Sequence, residues 1–101
     1  MSYYGITKIS WDAGHIDRVH LHAVLGGHSN DIQTGPETVA QRHEVIDKIY
    51  GGDTVHVIES NGHGGSMLTD KVVTRPGQEG YLQSIDHMGN PSSTLEKLDT
   101  F

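Results

Sequence analysis

Eight histidines in 101 residues are the first feature with chemical content: His15, His20, His22, His28, His43, His56, His63 and His87. His20 and His22 stand two apart in a stretch of strand composition, so their imidazoles emerge on one face. Two rings so placed can share a transition metal, zinc among them, with Asp12, His15 or His28 as completing ligands. Without ligands converging from elsewhere, the pair is an exposed polar stripe on the wet face of a strand. The expectation is no cofactor, with zinc or another transition metal at His20 and His22 as the alternative.

The spacing Gly14-x5-His20-x-His22 matches the opening of the cupin metal motif, and the match stops there. Ala23-Val24-Leu25-Gly26 holds no glutamate for the third ligand, and the chain has no later proline-glycine-histidine motif. Asn61-Gly62-His63-Gly64-Gly65 has the glycine content of a phosphate cradle, but such a cradle needs a helix after it. Residues 66–74 are strand-like instead, so the stretch reads as a hairpin connection with an Asn-Gly turn. Ser10, Ser60, Ser66 and Ser84 supply hydroxyls, yet none sits in a nucleophile elbow. Glu44 and Lys48, four apart, read as an ordinary helix surface pair. No group of residues shows the mutual roles of a catalytic site, so the chain reads as a non-enzyme, the alternative being a metal-binding protein or small metal-dependent enzyme that uses His20 and His22.

Charge narrows the partners. The net charge is −6 with only seven Lys and Arg, scattered along the chain, so no basic stripe exists to neutralise phosphates. Nucleic acid is not an expected partner. With no cysteine, disulfides and thiolate metal sites are excluded. Met1-Ser2-Tyr3-Tyr4-Gly5 has neither the positive nor the apolar region of a signal peptide, and no apolar run approaches a membrane span. The expected location is the cytoplasm, with no membrane partner. An acidic surface suits a basic protein partner. Tyr3 and Tyr4 precede the first strand, and tyrosine is enriched at binding hot spots. With Asp12, Asp17, Glu37, Glu44 and Asp47 they form the expected partner-binding set. The most specific form of this reading is an acidic inhibitor of the immunity-protein kind that neutralises a toxin or enzyme; a homo-oligomer is compatible with it.

These residues must be positioned by a small set of elements. The length is that of one domain, and a 34% apolar share makes its core thin. Residues 6–11 read as a strand with Thr7, Ile9 and Trp11 on one face, Trp11 capping the edge of the core. After an Asp12–His15 turn, residues 16–25 form a second strand: Val19, Leu21, Ala23 and Leu25 alternate with Arg18, His20 and His22. Residues 26–33 read as a polar loop. Thr34-Gly35-Pro36-Glu37 has the signature of a helix start, with a capping threonine, proline in the first turn and glutamate three residues on. Val39, Ile46 and Ile49 continue at helical spacing until Gly51-Gly52 stops the helix. Strands are expected at 54–59, 67–74 and 81–85, with a turn at 75–80. Ser93-Thr94-Leu95-Glu96 repeats the capping pattern before a final helical turn. The fold class is α+β: an antiparallel sheet of about five strands in the order ββαβββ, with one central helix on one face and a short C-terminal helical turn.

The layout resembles a small, widespread bacterial domain-of-unknown-function family. The resemblance lies in the opening strand pair, in Val45-Ile46 and Ile49, and in Gly51-Gly52 before a Val-x-Val strand. Tyr81-Leu82-x-Ser84-x-Asp86, Leu95 and Leu98 continue it across nearly the whole chain. Asp99 departs from it, standing where proline is usual. The resemblance implies the fold and brings no activity.

Overall fold

β1 (Tyr3–Asp12) and β2 (His15–His28) form the hairpin that the alternation predicts. Ala13 and Gly14 close it at φ 51° and 81°, the pair of positive values a two-residue type I′ turn requires. The computed structural model describes residues 2–28 and 30–101; Met1 of the expected chain start and Ser29 of the expected loop lie outside them. β1 does not run straight. Its pairing slips between Ile6 and Lys8 and again between Ser10 and Trp11. These bulges bring Ile6 and Ile9, three apart, into the core together and move Thr7 and the half-exposed Trp11 out of it. The expected face of Thr7, Ile9 and Trp11 is corrected accordingly.

The expected helix start is a second correction. The expected loop at 26–33 is taken up, among the described residues, largely by strand: β2 continues to His28, and β3 (Asp31–Thr34) pairs back on it. Thr34 therefore ends a strand. β4 (Thr38–Gln41) pairs with β2 from Arg18 to Leu21, burying Ala40 and placing Val39 opposite His20. The Thr38 hydroxyl donates to the Leu21 carbonyl at 3.1 Å, so the threonine supports a sheet and not a helix. α1 (Arg42–Tyr50) begins only there, at a Gln41 N-cap whose side chain makes no capping bond. Sheet pairing and burial of Ala40 outweigh the local capping signature, because propensity is a weak prior beside tertiary contact. The helix does stop where glycine predicts: Gly52 adopts φ 98°, and Gly51 N–H and Asp53 N–H donate to the Asp47 and Lys48 carbonyls at 2.9 Å.

From α1 the chain returns through β5 (Thr54–Ser60), β6 (Ser66–Arg75) and β7 (Gln78–Ile85), the last two joined by Pro76-Gly77 alone. β8 (Pro91–Ser92) pairs with β7, and β9 (Asp99–Thr100) pairs with β1. Among the described residues the sheet has nine strands in the order β3-β2-β1-β5-β6-β7-β8, with β4 added to β2 and β9 to β1. It is mixed: β1 runs parallel to both β5 and β9. The five-stranded antiparallel meander is therefore too small and wrong in one connection, while the α+β class holds.

The core lies between the sheet and α1. Ile6, Ile9, Val19, Leu21, Val55, Val57, Val72 and Leu82 meet Val45 of the helix, with Tyr4, Ile46 and Ile49 packed around them. Leu95, fully buried, joins the same cluster and draws the C-terminal segment in; such a burial contributes about 2 kcal/mol. The expected final helix is a single turn, with Lys97 N–H donating to Ser93 O at 3.1 Å, before the chain extends as β9. The capping pattern is used otherwise: the Thr94 hydroxyl donates to Asp70 Oδ2 at 2.8 Å.

Candidate functional site

β2 carries His20 and His22 on the face turned away from α1, opposite Lys8 and Gly5 of β1. That shared face is as expected from the spacing. The stripe is not wet, however: the two side chains are only 13% and 15% exposed. Glu37 covers them from the residue before β4, and Phe101, directly after β9, packs against His20 at a tilt of 39° with ring centroids 3.8 Å apart. His22 Nδ1 lies 3.0 Å from the Gly35 carbonyl. A carbonyl only accepts, so Nδ1 carries an N–H, and Nε2 pairs with the Thr7 hydroxyl at 3.2 Å. Thr7 reaches it because the bulge frees that residue from regular pairing.

Glu37 Oε1 is 2.9 Å from His20 Nδ1 and 3.6 Å from His22 Nε2. The closer approach is not an aligned hydrogen bond, since among the described residues His20 Nδ1 is buried with no hydrogen-bond partner. Asp12 and His15 sit at the β1–β2 turn and His28 at the far end of β2, so none completes a ligand set. Among the described residues no three His, Asp or Glu side chains are arranged to hold a metal ion. What the cluster does is hold β4: two imidazoles and a backbone carbonyl clasp residues 35–37 against β2.

β4 is an edge. Among the described residues it pairs with β2 alone, and Thr38, Val39 and Gln41 are exposed. Beside it, between α1 and the ends of β1 and β2, runs a groove of about 380 Å³. Tyr4, Leu21 and Ala23 belong to its lining, with Pro36, Glu44 and Lys48 among its other residues. Lys48 Nζ stands 4.6 Å from the centre of the Tyr4 ring and holds it in place.

The expected partner-binding residues do not form one patch. Tyr4 and Glu44 meet in the groove, and Asp47 is on the same helix. Glu37 is not a helix residue and is engaged with the histidines. Tyr3 and Asp12 lie at opposite ends of β1, roughly 30 Å apart for a strand of that length. Asp17 is the bulged residue of β2, 3.8 Å from the exposed Arg18, a surface pair of small energetic weight.

A further histidine carries no motif in the sequence. His56, on β5 opposite Lys71, lines a cleft of about 540 Å³ with Asp70, Asp86 and His87. Burial, and then the Lys71 ammonium, push its pKa below the ordinary histidine value, so the ring is neutral near pH 7, with Nδ1 buried and, among the described residues, unpartnered. Its one sequence signal is the alternation of His56 with Val55 and Val57, which places it on the face away from the helix. Comparison with protein-family models, curated proteins and solved structures found no match.

Proposed function

We propose that this protein is a non-enzymatic protein-binding module that accepts an extended segment of a basic partner along the open edge of β4. The observation that carries the reading is the juxtaposition of that exposed edge with the groove between β4 and α1. An edge strand offers unpaired backbone groups to an incoming strand, and an adjacent groove selects its side chains. Glu44 in the groove and Asp47 exposed on the same helix belong to a chain of net charge −6, which favours a basic segment and speeds its arrival. An acidic inhibitor of the immunity kind, acting on a basic toxin or enzyme, is the specific version. The layout shared with the small bacterial family of unknown function is proposed as kinship on the same footing.

The histidine clasp gives the edge its rigidity. By fixing residues 35–37 before β4, it lowers the conformational entropy lost when a segment binds. The test is affinity capture from the source organism at rising salt, with wild type beside the double variant Glu44→Lys, Asp47→Lys. One dominant, salt-sensitive protein retained by wild type and lost by the variant is the expected result. Capture that is equal for both, or no protein retained, overturns the reading.

A further inference from the structure

The far end of the β1–β2 hairpin builds a third pocket, at the opposite end of β1 from Tyr3 and Tyr4. It has a volume of about 190 Å³, and Trp11, Gly14, His15, Arg75, Tyr81 and Glu96 belong to its lining. Tyr81 is its fixed wall. The His15 ring stacks on it at 4.2 Å, and the Arg42 guanidinium stands 5.0 Å from its centre. Arg42 is itself anchored, donating to the Ile16 carbonyl at 2.9 Å, which ties the first residue of α1 to β2. Trp11 is 45% exposed, although it was expected to cap the core, because the slip in β1 turns it outward. Gly14 leaves the mouth open, since a side chain there would meet nothing within 4 Å.

Two opposite charges enter this space from different elements: Arg75 at the end of β6 and Glu96 from the turn before β9. Among the described residues no ion pair joins them. Arg75 is instead steadied by Gln78, its Nη1 donating to Oε1 at 3.2 Å, and its guanidinium stands 5.9 Å from the Tyr81 ring centre. A guanidinium in this setting is a carboxylate receptor. Glu96, with the Trp11 indole in the same lining, suits an ammonium group. A volume of 190 Å³ has room for about six waters, the size of a small metabolite and too small for a peptide segment.

From this geometry we infer that the hairpin pocket binds a small zwitterion of the free α-amino-acid class. Its carboxylate lies on Arg75, its ammonium on Glu96, and its body lies against Trp11. The site is independent of the β4 edge and does not rest on the protein-binding reading.

Trp11 is the single tryptophan of the chain, so its emission reports on this pocket directly. The purified protein is titrated with each of the common L-amino acids to about 10 mM, the weak end of specific binding. The N-acetyl acids, which lack the ammonium, and the amino-acid amides, which lack the carboxylate, are run beside them. The expected result is a saturable change in emission with at least one zwitterion, weakened at least tenfold in both capped forms. Arg75→Gln, at a half-buried position, and Glu96→Gln, at an exposed one, are expected to weaken binding at least tenfold as well. No saturable change with any amino acid, equal binding of a capped analogue, or unchanged affinity in either variant overturns the proposal.

Discussion

Gly5 is the residue whose substitution the structure prices most directly. It lies in β1 between His22 of β2 and His56 of β5, and the side chain of Ile58 fills the space above it. A Cβ built on Gly5 overlaps Cδ1 and Cγ1 of Ile58 but stays 3.6 Å from Ile58 Cβ. The backbone can therefore remain, and the ethyl arm of Ile58 must leave. Ile58 is 4% exposed, so the arm has no solvent to move into. Forcing a branched side chain off its rotamer costs about 0.5–1.5 kcal/mol, and overpacking a filled site about 1–3. Alanine in place of a strand glycine returns roughly 0.5–1 kcal/mol. Gly5→Ala is thus expected to destabilise by about 1–3 kcal/mol, a fall in Tm on the order of 4–20 °C for a domain of this size. Urea denaturation of four proteins tests the cause: wild type, Gly5→Ala, Ile58→Ala and the double variant. Ile58→Ala alone should cost about 2–5 kcal/mol. In the double variant the new methyl occupies part of the vacated space, so the two losses should fall short of adding by 1 kcal/mol or more, roughly the coupling of side chains in contact. Strict additivity, or a Gly5→Ala protein as stable as wild type, refutes the argument.

Two further predictions concern titration and backbone strain. His56 has its pKa depressed by burial and Lys71, so as pH falls from 7 toward 5 the unfolded chain takes up this proton before the native one does, and stability drops. Wild type should lose more stability than His56→Gln over that interval, measured by urea denaturation at each pH; parallel curves would remove His56 as the cause. Ala13 holds φ 51° in the β1–β2 turn, a conformation costly for alanine and easier for asparagine. Ala13→Asn should therefore stabilise by about 0.5–1 kcal/mol, seen as a rise in Tm, and a fall would contradict the turn assignment.

The legible part of the fold is the part governed locally. Where one residue type imposes its conformation on its neighbours, the reading held. Asp12-Ala13-Gly14-His15 turns, Gly51-Gly52 ends α1, and residues 54–59 form a strand. Where two structures competed for the same residues, it failed. Thr34 to Val39 satisfies both a capping box and a β-branched edge strand, and only the presence of β2 alongside decides for the strand. Ser93 to Thr100 divides between the two: the expected turn forms at Ser93 to Lys97, and pairing with β1 then extends Asp99 and Thr100 as β9.

The sequence by itself determined the α+β class, the acidic character, the β1–β2 hairpin and the shared face of His20 and His22, because composition, turn chemistry and the two-residue period of a strand act without distant partners. Only the tertiary structure decided what surrounds those residues. Glu37 lies 15 residues from His22 in the chain, yet its carboxylate closes over both imidazoles. Trp11 and Glu96 are 85 residues apart and line one pocket. Such pairings depend on bulges in β1 and β2 and on strand order, which no local pattern encodes, since both are fixed by which side chains fill the common core.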